Sequence, residues 1–156
     1  MTRPSGAAPP GDSAVLSLPA EIENLPAFVG FVREACARAG ADSEASHALR
    51  LAVDEACTNV IRHGYRESPA GPIEISVVAS PGRIVVTIDD RAPSFSPAEA
   101  PAPDIDSGWN ERAVGGLGWH FVKNVVDEVR HEARAGGGNR LVLVKNLKED
   151  RSWKSR

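Results

Sequence analysis

The chain has 156 residues, 42% of them hydrophobic and 25% charged, with 18 basic against 21 acidic residues and a net charge of −3. That length holds one domain with a substantial core, and that composition belongs to a globular protein. The charge balance gives no general attraction to nucleic acid or to anionic membrane, and no stretch of the sequence approaches the roughly 18 apolar residues that span a bilayer.

Residues 1–11 are rich in Pro, Gly and Ala without an apolar signal core, so a disordered tail over 1–12 is expected. Residues 14–18 predict a short strand. Leu25, Phe28, Val29, Val32, Ala35 and Ala39 recur at helical spacing, which predicts a helix over 22–39 ended by Gly40. Ser43 is a candidate N-cap for a second helix running to about His63, with Gly64 closing it. Residues 73–78 and 84–89 alternate apolar and polar side chains and predict an antiparallel pair turning at Ser80-Pro81-Gly82. Residues 91–114 carry four prolines and no usable periodicity. A loop that long in a compact domain points to a function, such as a lid over a ligand. Residues 119–129 predict a third helix directly after a glycine cluster. Gly136-Gly137-Gly138 makes a turn, and residues 141–144 form a last buried strand.

This order predicts an α+β fold over 13–148: a two-layer sandwich with helices on one face of a mixed, mostly antiparallel sheet. Residues 149–156 form a polar, solvated tail, because Glu149 and Asp150 interrupt its basic residues. Cys36 and Cys57 have neither disulfide-framework nor zinc spacing, so reduced thiols and a cytoplasmic location are expected.

The second helix carries the chemistry. Leu49, Val53, Ala56 and Val60 form its core stripe. Glu55, Asn59 and His63, spaced i, i+4, i+8, stack roughly 90° from it, at the core margin. Asn59 offers a neutral carbonyl oxygen of the kind that holds Mg²⁺ together with phosphates and water. Glu55 could accept a proton from an attacking hydroxyl. Asp54 is rotated away by about 100° and is excluded as the base. The same spacing also suits an amphipathic helix with a polar flank, and His63 suits a capping role beside Gly64.

Asp90 shares its strand face with Ile88, by the two-residue repeat, so it points inward and needs a polar partner. An adenine amine would serve, and so would a turn that merely begins on an acidic pair. Gly115-Gly116-Leu117-Gly118 precedes a helix, where free N–H groups can meet phosphate. It is neither a Walker A nor a dinucleotide fingerprint, and a tight loop explains it equally well.

Taken in order, these segments resemble the GHKL ATPase superfamily. Residues 51–65, LAVDEACTNVIRHGY, resemble the asparagine box of RsbW-type anti-sigma serine kinases. Residues 90–95, DRAPSF, resemble their first glycine box, residues 115–118 their second, and residues 125–129 the helix end that follows. The likeness spans about residues 14–147. It implies an ATP site in which Glu55 is the catalytic base, Asn59 the Mg²⁺ ligand and Asp90 the adenine acceptor. It places His63, Ala92 and Phe95 at the nucleotide, puts Gly115, Gly116, Leu117 and Gly118 around the phosphates, and makes 91–114 the ATP lid. Two positions depart from the family pattern. Ala92 stands where glycine is usual, and Asn139 stands near where the last strand often begins with threonine.

The resemblance implies a kinase that binds a sigma factor and phosphorylates an anti-anti-sigma protein on serine, acting as a homodimer. The alternative is a nucleotide-dependent binding module without turnover. Glu55 favours the kinase, since a pure binder needs no base there. A histidine-kinase core fits less well. Such cores resemble one another in placing the phosphoacceptor on a separate upstream helix, whereas His47 shares its helix with Glu55.

Overall fold

The computed structural model describes residues 12–65, 71–93 and 122–148. Five strands form one sheet: β1 (Asp12–Pro19), β2 (Pro72–Ser80), β3 (Arg83–Asp90), β4 (Glu128–Ala133) and β5 (Asn139–Asn146), in the order β1-β2-β3-β5-β4. Every pairing among them is antiparallel, so the described sheet contains no parallel element of the kind a mixed sheet would have. Two helices, α1 (Leu25–Arg38) and α2 (Ser43–Asn59), make the second layer.

Pleating decides which side chains the helices cover. Ile73, Ile75, Val77 and Ala79 of β2 and Ile84, Val86 and Ile88 of β3 share one face and are buried. Phe28, Val32 and Ala35 of α1 and Leu49, Val53 and Ala56 of α2 join them in a single core cluster. Gly40 ends α1 in the left-handed region, at φ 74°. There Ala41 N–H donates to the Cys36 carbonyl and Gly40 N–H to that of Ala37, so the last turn closes on itself. Cys36 and Cys57 are buried free thiols, and burial raises the pKa of both.

Helix α2 differs from its sequence reading at both ends. Its N-cap is Asp42, not Ser43: the Asp42 carboxylate accepts from Ala45 N–H at 2.8 Å. Its α-helical hydrogen bonding stops at Asn59, and a turn of π-helix follows over Val60–Gly64, where Tyr65 N–H reaches the Val60 carbonyl. The extra residue in that turn breaks the 100° step, so His63 leaves the Glu55–Asn59 line and is exposed.

The third helix also differs. Residues 119–121 lie outside the described residues, only 122–125 are helical among those described, and β4 begins at Glu128. Contacts from β5 end the helix. Lys145 Nζ donates to the Val125 carbonyl, Asp127 N–H to that of Val144, and the Asp127 carboxylate accepts from Asn146 N–H. These bonds start a strand where local propensity favours a helix.

Candidate functional site

A small pocket, partly open to solvent, lies between the C-terminal end of α2 and the core face of the sheet. Ala56, Asn59 and Val60 line it from the helix side, Ile88 and Asp90 from β3, His131 from β4, and Asn139 and Leu141 from β5. Its walls are largely apolar, with Asn59, Asp90, His131 and Asn139 as the polar groups among them.

Asp90 is the best-held of those groups. It is 4% exposed and shares the face of Ile88, as the alternation predicts. Ala92 N–H donates to its Oδ1 at 2.9 Å and Asn139 Nδ2 donates to the same oxygen at 3.0 Å. Both bonds fall on Oδ1, so Oδ2 is the oxygen left for a ligand among the described residues. Burial pushes the Asp90 carboxyl up from its usual range, against the opposing pull of the Asn139 and Ala92 donors and of the charges on Arg134 and His131.

The backbone around Asp90 is gripped too. Arg134 Nη1 donates to its carbonyl at 3.2 Å. Tyr65 OH accepts from Arg91 N–H at 2.8 Å and donates to the Pro72 carbonyl at 3.0 Å. Gly138, with φ 108°, lies so close to the Asp90 carbonyl oxygen that a Cβ would overlap it. Ala92 is fully buried, and no described residue other than glycine has positive φ. Alanine therefore fits at position 92 without the backbone freedom of the usual glycine.

Asn59 is 6% exposed, and its Oδ1 is buried with no hydrogen-bond partner among the described residues. A buried, orphaned carbonyl oxygen is costly unless something outside the chain satisfies it. A hard cation or a ligand donor would do so. Mg²⁺ is commonly held by one or two protein oxygens together with phosphates and water, so one amide oxygen can suffice. Glu55 is half-buried, one helical turn before Asn59, and is not among the residues lining the pocket. Burial raises its carboxyl pKa first, and the neighbouring Asp54 charge adds to that.

A model of the histidine kinase-like ATPase domain family matches residues 18–145. The chain belongs to that family. This ATPase domain is 28% identical to the anti-sigma F factor of Anoxybacillus flavithermus over 104 residues, 67% of this chain and 71% of that one. It is 28% identical to the serine-protein kinase RsbW of Bacillus subtilis over 123 residues, 71% of this chain and 74% of the relative. Its fold matches that of a solved Mycobacterium tuberculosis chain holding RsbU and RsbW domains, with a TM-score of 0.64 and 21% identity, over 88% of this chain and 33% of that longer one.

The structure of the ATPase domain thus brings Asn59 and Asp90 to one pocket, with Glu55 one turn away and His63 turned out. Phe95, Gly115, Gly116, Leu117 and Gly118 lie outside the described residues, as does the lid segment beyond Pro93. Sequence reasoning missed His131, Arg134 and the role of Tyr65. A strand pairing for residues 128–133 was the signal that could have found the first two, but Val129 is the only large apolar residue among those six. No helix among the described residues is long and apolar enough to cross a membrane.

Proposed function

We propose that this ATPase domain binds Mg·ATP in the Asn59–Asp90 pocket and acts as an anti-sigma factor and serine protein kinase. It binds a sigma factor and transfers the γ-phosphoryl group to a serine of an anti-anti-sigma protein. The observation that carries the reading is the orphaned Asn59 Oδ1, in the same pocket as an inward-facing Asp90 whose Oδ2 is left for a ligand. The relatives named anti-sigma F factor and RsbW supply the partner class.

Each residue has a distinct task. Asp90 Oδ2 accepts from the exocyclic amine of adenine, and the apolar walls from Ala56, Val60, Ile88 and Leu141 flank the base. Asn59 Oδ1 would hold Mg²⁺, which when bound supplies charge neutralisation at the phosphates. Glu55 accepts the proton from the partner serine, and its burial-raised pKa makes it a stronger base than an exposed carboxylate. The glycine segment 115–118 would wrap the phosphates with backbone N–H groups.

The decisive experiment is capture of partners in the presence of Mg·ATP, followed by mass spectrometry. A bound sigma factor, and phosphoserine on a second captured protein, are the expected results. No phosphoserine on a verified anti-anti-sigma partner would leave a binding module without turnover and overturn the kinase reading.

A pH dependence follows from Asp90. Its carboxyl is raised by burial, and adenine requires the ionised form, so nucleotide binding competes with a proton. Mg·ADP affinity is therefore expected to fall on acidification, beginning at a higher pH than an ordinary aspartate would produce. Calorimetry across the acidic range checks this, with Asp90→Asn as the baseline because it has no proton to gain. Parallel pH profiles for the two proteins would contradict it.

A further inference from the structure

A second cavity, lined mostly by polar groups, lies at one end of the sheet, and the reading above makes no use of it. Ser17, Glu74 and Asp89 stand opposite one another across β1, β2 and β3, on the face turned away from the helices. Arg91, just past the end of β3, and Arg134, just past the end of β4, complete its wall. Like charges directly opposite each other on a sheet cost stability, so Glu74 and Asp89 each need an opposite charge. Asp89 has one: Arg140 Nε donates to its Oδ1 at 2.8 Å and Arg140 Nη2 to its Oδ2 at 2.9 Å, which uses both oxygens. Glu74 makes no ion pair or hydrogen bond through its side chain among the described residues, and neither does the Arg91 side chain. The Arg134 guanidinium makes a single bond there, from Nη1 to the Asp90 carbonyl at 3.2 Å. Opposite charges thus line one cavity without pairing with each other.

We propose that this cavity docks an acidic side chain of a protein partner: Arg91 and Arg134 hold its carboxylate, and Glu74 accepts an N–H of the same segment. The charges select that class. Arg140 neutralises Asp89, and the Asp90 carboxylate belongs to the helix-side face, so two guanidinium groups meet one free carboxylate. That surplus suits a monoanion, and guanidinium forks match the geometry of a carboxylate. A phosphate dianion also suits the forks, but Glu74 repels it. A polypeptide answers both signs, because an acidic side chain always lies near backbone N–H groups. Ser17, exposed beside Glu74, adds a hydroxyl donor. Arg134 is also set in place before any ligand arrives. It is half-buried, its N–H donates to the Gly138 carbonyl at 3.0 Å, and its carbonyl accepts from Gly137 N–H at 3.1 Å. With Nη1 on the Asp90 carbonyl as well, little side-chain freedom is left to lose on docking.

The site stands apart from the reading of Asp90 as the adenine acceptor, so either can fail without the other. Its test uses a glutamate residue capped as the N-acetyl N-methylamide, which carries a carboxylate and backbone N–H groups, with the capped glutamine as the uncharged control. NMR of the arginine Nε–H groups reads the binding. The Arg91 and Arg134 signals are expected to move saturably with the glutamate probe, with a Kd on the order of 1 mM, and to stay in place with the glutamine probe. Arg83, exposed at the opposite end of β3, is the internal reference and should not respond. Arg91→Gln is expected to weaken the probe by about tenfold, the size of one hydrogen bond between charged groups. Inorganic phosphate should bind the wild type more weakly than the probe, and Glu74→Gln should narrow that preference by removing the like charge.

Shifts at Arg83 equal to those at Arg91 and Arg134 would reduce the effect to ordinary screening and overturn the proposal. An unchanged probe affinity in Arg91→Gln would overturn it too. Phosphate bound by the wild type as tightly as the probe would leave a site for any anion and remove the protein partner.

Discussion

In Glu55→Gln, phosphoryl transfer to the partner serine is expected to fall by at least about two orders of magnitude, on the order of 3 kcal/mol in the barrier. Glutamine keeps the shape of the side chain and removes its basicity. A serine hydroxyl is a weak acid, so its proton needs an acceptor as the new bond to phosphorus forms. Glu55 is half-buried, one turn from Asn59, and its pKa is raised by burial and by Asp54. Asp54 itself is accounted for, since its carboxylate accepts from Thr58 Oγ1 within the helix. Nucleotide affinity should survive in the variant, because Glu55 is not among the residues lining the pocket. Single-turnover transfer to the true partner measures the effect, and an unchanged rate would remove Glu55 from the mechanism.

Gly138→Ala is expected to cost about 2–4 kcal/mol of stability, combining a strained left-handed backbone with an overlap that must push neighbours apart. Thermal unfolding should drop by roughly 10 °C. The overlap is with the Asp90 carbonyl oxygen and, at 3.0 Å, with Arg91 Cα. Both are backbone atoms and cannot swing aside. ATP affinity should therefore fall as well, since the displaced residue is the adenine acceptor. Gly137→Ala is the matched control: its φ is 106°, but a Cβ there meets nothing within 4 Å. It should show the strain alone, and equal losses in the two variants would contradict the clash.

The parts of this site that follow a single period were legible in the sequence. The i, i+4 stack placed Asn59 at the core margin of α2, and the two-residue alternation placed Asp90 beside Ile88, where the structure has both. His63 was misplaced because the wheel assumed one helical step throughout, and the π turn after Asn59 does not keep it. Strand β4 was hidden for a different reason. Glu128, Arg130, Glu132 and Ala133 are exposed on a sheet edge, so its pattern lacks an apolar face, and its residues favour a helix locally. Only pairing with β5, fixed through Asp127 and Lys145, makes it a strand. Asn139 was noticed as a departure from threonine. What it does became visible only when register set it opposite Asp90, where its Nδ2 donates to the carboxylate.

The central claim, that Asp90 holds the adenine of Mg·ATP, is tested most directly by calorimetric titration of wild type and Asp90→Asn with Mg·ATP. The asparagine amide can turn a donor toward the adenine amine. Loss of one hydrogen bond to a charged acceptor, about 1.5–3 kcal/mol, weakens binding roughly tenfold or more. Equal affinity in the two proteins would contradict the account.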